Sequence, residues 1–392
     1  MEEKKPRVLL TYIESGMGHI MSMSAISEGL KQKYSEKLDI IESYIMDQND
    51  VTRSFEKFLE DCTKETNKNK GFGMGVFVLL NVLGKEHFMR FVHKTIFRNA
   101  TNATIEEMRK YNPDVIISTH YFITFAAIEL KKRYLPNLIV ITYNPDNNVH
   151  VWWDNRSDLF INNNVDACNE AIRKRDFDYQ KVRNVFFTAR EEISEAKGTR
   201  KEYREKYNLP VDQFTVIIAD GAYASAKAKQ VCNKLLKIDF PITILMLAGK
   251  NKKVYDYFMK KKTKVKPNIN LIPLEFTPLA YEYYGASDIF ITKAGPNATL
   301  DSLFMGTPVV FDYYAHPIEK ATAKLFANEL QCGVTCFNIN KIKKEVIYLY
   351  NHPEFLKALR KNIKKNVNKK DNGANQVADI IMKEIKEKYV EE

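Results

Sequence analysis

The sequence predicts an α/β protein of two strand–helix domains, and three observations carry that expectation. Short apolar runs such as Val8-Leu9-Leu10 and Ile289-Phe290-Ile291 lack the alternation of a half-wet strand, so they read as buried parallel strands. A glycine-bearing turn and then a helix-period segment follow each run, the grammar of βαβ units. A chain of 392 residues is too long for one ordinary core.

In order, residues 7–12 form a first strand, Glu14-Ser15-Gly16-Met17-Gly18-His19 a tight turn, and residues 20–34 a helix with Ala25, Ile26 and Leu30 on one face. The full dinucleotide-binding glycine spacing is absent. From the residues alone, His19 is either a polar helix start or a ligand-facing group. Residues 38–46 read as a second strand. Residues 71–99 combine a nearly continuous apolar run, including Phe77 and Leu80, with Phe88 and Phe91 at helical spacing among Lys85, Arg90, Lys94 and Arg98. That pattern fits a basic amphipathic surface at a membrane interface, or a buried helix pair. Residues 114–120, 138–142, 158–162 and 182–188 read as strands. Residues 191–209 are charged and helical in character, a connector between domains. Residues 214–219 open the second domain and run into Asp220-Gly221-Ala222. Strands follow at 242–248 and 270–272, separated by a lysine run read as a solvated face. The strand 288–292 leads into Lys293-Ala294-Gly295-Pro296-Asn297, a helix over 298–305 stopped by Gly306, and a strand from Pro308. Residues 376–390 form an amphipathic helix.

The stretch 287–308 holds the densest chemistry. A strand, a Gly/Pro turn and a helix start leave unpaired N–H groups facing one point, which suits an anion. Asp301, one turn further, is a carboxylate able to accept two hydroxyls. An ordinary βαβ crossover has the same outline.

Composition sets the surroundings. A formal charge of +11 favours an anionic partner, a lipid surface or a nucleotide. Nucleic acid is not expected, because no helix-turn-helix, zinc-finger or RNP pattern is present. Five scattered cysteines suit reduced thiols in a cytoplasm. MEEKKPRVLL lacks a signal-peptide shape, and no apolar run approaches the ~20 residues of a spanning helix. Asp176-Phe177-Asp178 lies in a charged stretch with no strand before it, so it reads as a solvated turn, and no metal or cofactor is expected.

TKAGPNATLDSLFMGTPVV resembles the nucleotide-sugar motif of the lipid-acting GT-B glycosyltransferases: the monogalactosyldiacylglycerol synthases, the processive diacylglycerol glucosyltransferases and the transferase that makes lipid II. Lys293, Gly295, Gly306 and Pro308 match without gaps, and Asp301 stands where the family has the glutamate that holds the ribose of UDP. Ser15-Gly16-Met17-Gly18-His19 resembles the family's glycine turn, with Met17 in place of a glycine and His19 in place of the active-site histidine. The likeness is strong over 7–30 and 270–330, weaker over 112–162, and absent over 40–110. It implies a GT-B fold: two Rossmann-like domains facing a cleft, at 1–195 and 196–370, with residues 371–392 returning as a helix to the first. It implies a UDP-sugar donor at Gly18, Gly221, Phe276, Lys293, Gly295, Pro296, Asn297, Asp301 and Glu319. It further implies an inverting, metal-independent transfer to a lipid such as diacylglycerol, on a protein peripheral to the inner face of the membrane. Phe77, Leu80, Phe88 and Phe91 would meet acceptor and membrane. The catalytic base would be His19 or Asp146, because Tyr143 occupies the place of the family's aspartate. Ile318 replaces the glutamine that contacts donor-sugar hydroxyls, which leaves the sugar open. A UDP-sugar 2-epimerase of the same architecture and a non-catalytic nucleotide-sugar or lipid binder are the alternatives.

Overall fold

The computed structural model describes residues 5–14, 17–68, 86–314 and 317–390. The chain divides into two compact units, residues 1–191 with 371–392, and residues 192–370.

The first unit is built on a six-stranded parallel sheet. Its strands are β1 (Arg7–Thr11), β2 (Asp39–Ser43), β3 (Val115–Ser118), β4 (Ile139–Asn144), β5 (Leu159–Asn162) and β6 (Val182–Asn184). Their order is β2-β1-β3-β4-β5-β6. Val8, Leu10 and Ile117 pack on one face with Ile26 and Leu30, while Leu9, Ile116 and Val140 pack on the other with Phe122 and Ile123. Successive residues of a strand point to opposite faces and both faces are covered, which is why the runs are apolar throughout. The helix Gly373–Val390 joins this unit by lying against the helix Met17–Tyr34. A side chain at Gly29 would meet the Ala374 carbonyl oxygen at 2.9 Å, so glycine there permits the close approach. Asn372 bonds both backbone groups of Ala189, at 3.0 and 2.8 Å, and so pins the returning chain beside the departing one.

The second unit repeats the plan with β7 (Phe214–Ile218), β8 (Ile242–Gly249), β9 (Ile269–Glu275), β10 (Ile289–Lys293), β11 (Val309–Tyr313) and β12 (Gly333–Thr335). They run parallel in the order β12-β11-β10-β7-β8-β9. Strand order reverses between β1 and β3 in the first unit and between β7 and β10 in the second. Open α/β sheets receive ligands at such reversals, beyond the carboxyl ends of the strands.

Three elements differ from the sequence reading. The strand expected over 38–46 ends at Ser43, and Ile45 and Met46, although fully buried, lie in a single 3-10 turn. The strand expected over 182–188 is only Val182–Asn184. The charged stretch 191–209 is more than a connector: Tyr203 and Arg204 are buried, and Arg204 pairs with Asp288 at 2.7 Å.

Candidate active site

In the first unit the reversal gathers histidines. His19 is the third residue of the helix after β1, and its Nδ1 lies 2.6 Å from the Thr119 carbonyl oxygen, just past β3. A carbonyl can only accept, so Nδ1 carries the proton and Nε2 is left with its lone pair. Burial pushes the His19 pKa down to about 4 against the opposing pull of the Thr119 carbonyl, so the ring is neutral near pH 7. His120 caps the helix Tyr121–Arg133, its Nδ1 accepting from the Phe122 N–H at 3.2 Å; its proton is therefore on Nε2. The two rings meet edge to face with centroids 4.9 Å apart. Burial first, then the neighbouring His19, His150 and His93, holds His120 well below its usual pKa. Gly18 adjoins His19 at the helix start, whereas Ser15 and Gly16 lie outside the described residues.

The loop after β4 supplies the next groups. Asp146 is half-buried, its N–H donating to Asn144 Oδ1 (3.0 Å) and its carbonyl accepting from Asn162 Nδ2 (2.8 Å). These bonds hold it at the same sheet edge as His19, on the strand beyond His120. Tyr143, which occupies the family aspartate's position, is a buried phenol bonded to Thr188 Oγ1 at 3.0 Å and pushed up to about 12 by burial. It packs into the core and cannot serve as a base at neutral pH.

In the second unit the reversal brings the loops after β7 and β10 together through Asp220. This carboxylate is 7% exposed, accepts the Lys293 N–H at 3.2 Å, and also bonds Ser225 Oγ and the Tyr313 hydroxyl (3.3 Å). Ser225 in turn caps the helix Ala226–Leu235. Gly221 adopts φ +80°, open only to glycine at low strain. The loop then folds onto the end of β8, where a side chain at Gly249 would strike the Ala222 carbonyl oxygen at 2.2 Å.

The helix Pro296–Phe304 starts with Pro296 at its first turn and Gly295 as its cap, so no side chain closes its free N–H groups. Gly295 has φ −74°, so its contribution is an open cap rather than an unusual conformation. Thr299, Leu300, Ser302, Leu303 and Phe304 are buried, which leaves Asn297, Ala298 and Asp301 on the outer face; Asp301 is half-buried. Lys293 Nζ pairs with Glu319 Oε1 at 2.8 Å. Phe276, just past β9, is half exposed, and Lys250 Nζ stands 5.3 Å above its ring. Six of the donor candidates, Lys293 to Asp301 and Glu319, thus fall on the two segments that follow β10 and β11, and Gly221 and Phe276 follow β7 and β9 at the same sheet edge.

Two residues escaped the sequence reading. Asp312 sits at an irregularity in β11, where Thr292 pairs with Phe311 but Lys293 with Tyr313, so Asp312 is an extra residue in the ladder. It is 1% exposed, its Oδ1 has no partner, and burial with the nearby Asp220 charge raises its pKa to about 7. Lys227 donates to the Asp312 carbonyl at 2.7 Å and covers the Tyr313 ring. A carboxylate ending an apolar strand was the available signal.

Of the surface candidates, Phe88 and Phe91 are 48% and 60% exposed on the helix Glu86–Thr95, whose Met89 and Val92 face inward; Phe77 and Leu80 lie outside the described residues. Among the described residues no group of His, Cys, Asp and Glu could hold a metal ion, and no helix is long and apolar enough to cross a membrane.

Residues 19–183 match the family model for monogalactosyldiacylglycerol (MGDG) synthase, and residues 221–381 that for the glycosyltransferase family 28 C-terminal domain. Monogalactosyldiacylglycerol synthase 2 of Arabidopsis thaliana is 22% identical over 348 residues, 81% of this chain and 68% of that protein. The processive diacylglycerol beta-glucosyltransferase of Bacillus subtilis is 21% identical over 364 residues, covering 91% of this chain and 90% of the relative. The crystal structure of Acinetobacter baumannii MurG superimposes with a TM-score of 0.61 at 13% identity, covering 96% of this chain and 99% of the other. The fold and these matches define a glycosyltransferase of GT-B architecture. Within that class the chain is similar over residues 19–183 to the monogalactosyldiacylglycerol synthases, over residues 221–381 to glycosyltransferase family 28, and along most of its length to a processive diacylglycerol glucosyltransferase.

Proposed function

We propose that this glycosyltransferase moves a hexose from a UDP-sugar to the hydroxyl of a lipid such as diacylglycerol, with inversion and without a metal ion. The observation that carries the proposal is the uncapped start of the helix Pro296–Phe304, with Lys293 before it and Asp301 one turn inside. Backbone N–H groups at Asn297 and Ala298, with the Lys293 ammonium, receive the diphosphate. Asp301 accepts the ribose hydroxyls, and Phe276 flanks the base. A relative of the same fold, Anabaena HepE, was crystallised with UDP-glucose, which supports a donor of this class. His19 Nε2 takes the proton of the acceptor hydroxyl as its oxygen bonds the anomeric carbon and the bond to UDP breaks. Asp146 is the substitute base.

The lipid acceptor is supported by the curated relatives, whose names are those of diacylglycerol glycosyltransferases. Exposed Phe88, Phe91 and Ile96, with Lys94 and Arg98 between and after them, support peripheral binding to an anionic surface, at the cytoplasmic face.

Asp301 gives the sharpest test. Hydrogen bonds from two hydroxyls to an ionised carboxylate contribute roughly 1.5–3 kcal/mol each. Asp301→Ala should therefore weaken UDP binding at least about tenfold, at about 1.4 kcal/mol per decade. Asp301→Glu should keep it. Titration calorimetry with UDP measures both, and unchanged affinity in Asp301→Ala would remove the donor site from this helix.

A further inference from the structure

The opposite edge of the second sheet, at the amino ends of its strands, carries an unbalanced cluster. Asp288 directly precedes β10 and faces three guanidiniums. Its Oδ2 accepts from Arg204 Nη2 at 2.7 Å and from the Thr215 N–H at 2.9 Å. Its Oδ1 accepts from Arg360 Nη2 at 3.2 Å and pairs with Arg200 Nη1 at 3.3 Å. Both oxygens are thereby saturated.

The three arginines are not equivalent. Arg204 has a 6% exposed side chain and spends its remaining donors on the carbonyls of Ala286 (2.8 Å) and Val211, so it is part of the framework. Arg200 and Arg360 each reach Asp288 with one nitrogen, and their side chains are 32% and 27% exposed. The Nε–H of each is buried without a partner. They converge on the same carboxylate oxygen, so the two guanidiniums are neighbours, and one carboxylate offsets only one of three positive charges. Burial together with the like charges of Arg360 and Arg204 pushes Arg200 down to about 10, the direction expected for cations crowded together without enough counter-charge.

We infer that Arg200 and Arg360 form a binding site for a tetrahedral dianion of the phosphate class, separate from the donor loops. A dianion matches the excess charge of the cluster. Its oxygens can accept from the outer N–H edges of the two part-exposed planar forks at once, which a single-point anion such as chloride cannot do. Parallel strands place this site at the end of the sheet away from Lys293 and Gly295, so it adds a second anion site to the same unit. The ligand is either inorganic phosphate or a small phosphomonoester, both of which present the same group.

Phosphorus NMR on the full chain tests the inference, with Lys293→Ala as background so that the donor loop does not compete, and ionic strength held constant with chloride. Inorganic phosphate and glycerol phosphate are titrated separately. Protein-dependent broadening is expected for at least one of them, with sulfate competing and acetate not competing. Arg360→Met and Arg200→Met should each weaken binding at least tenfold, and Arg360→Lys, which keeps the charge but loses the fork, should lie between. Tighter binding of the ester would identify the phosphomonoester as the ligand, and equal or weaker binding would identify free phosphate. No broadening by either probe in the background protein, or the same affinity in both methionine variants, would overturn the site.

Discussion

Asp312→Asn should remove the alkaline flank of the second unit's stability profile. Asp312 is almost wholly buried, has an unpartnered oxygen, and lies near the Asp220 carboxylate; the Lys227 ammonium, which donates to its carbonyl, opposes the rise without cancelling it, and the Tyr313 phenol and the Cys336 thiol also lie nearby. Its carboxyl pKa is therefore raised from 3.8 to about 7. In the unfolded chain the proton is lost near pH 4, whereas the folded unit keeps it until about 7. Between those limits the folded state binds one more proton than the unfolded state, so stability falls as pH rises and levels off above pH 7. A displacement of roughly three pH units at ~1.36 kcal/mol per unit gives a loss of about 4 kcal/mol across the window. Asparagine cannot ionise, so the variant should gain stability over the wild type by most of that amount between pH 5 and 8. Hydrogen exchange of the β10 and β11 amides, corrected for intrinsic rates, reads this unit alone. A wild type and variant that differ by a constant amount across that range would show that Asp312 titrates as an ordinary carboxyl. The first unit provides a contrast of opposite sign. His93 and His19 are lowered to about 4, and His120 is also lowered, chiefly by burial, so that unit should lose stability as pH falls from 6.5 toward 4.

Two further outcomes concern catalysis and the membrane. His19→Ala should lower turnover by roughly 10²–10⁴, with EDTA present throughout, while UDP affinity measured by calorimetry stays unchanged; the wild-type acid limb should fall well below pH 6.5, because the ring stays neutral to about pH 4. Phe91→Glu should reduce co-sedimentation with anionic vesicles several-fold, salt should weaken the wild-type binding, and equal pelleting with neutral vesicles would refute an electrostatic contribution.

Much of this was legible in one sequence because parallel sheets buried on both faces impose a coarse pattern. Each strand is an unbroken apolar run, and each run must end at a turn before a helix, so the edge that bears the chemistry is marked by where the runs stop. His19, Lys293 and Asp301 all stand just past such stops. The errors come from burial that is not strand. Ile45 and Met46 are as apolar and as buried as strand residues, yet they pack from a 3-10 turn, and no local period separates the two cases. The extra residue at Asp312 is equally hidden, because a bulge is a mismatch with a neighbouring strand and the neighbour is not adjacent in sequence.

The same dependence on distant strands holds at the site itself. A ligand settles where strand order reverses, and at a reversal the strands that touch are those the chain visits far apart. His19 meets Thr119 across 100 residues, and Asp220 meets Lys293 across 73 and Tyr313 across 93. A linear motif can therefore reveal one side of each pairing and not the other. The family motif exposes Lys293 and Asp301 but says nothing of Asp220, whose side chain ties the Lys293 loop to β7 and β11. The glycine turn exposes His19 but not the Thr119 carbonyl that fixes its tautomer. What decides whether His19 is a base or a donor is thus a backbone oxygen on another strand, and only the sheet order supplies it.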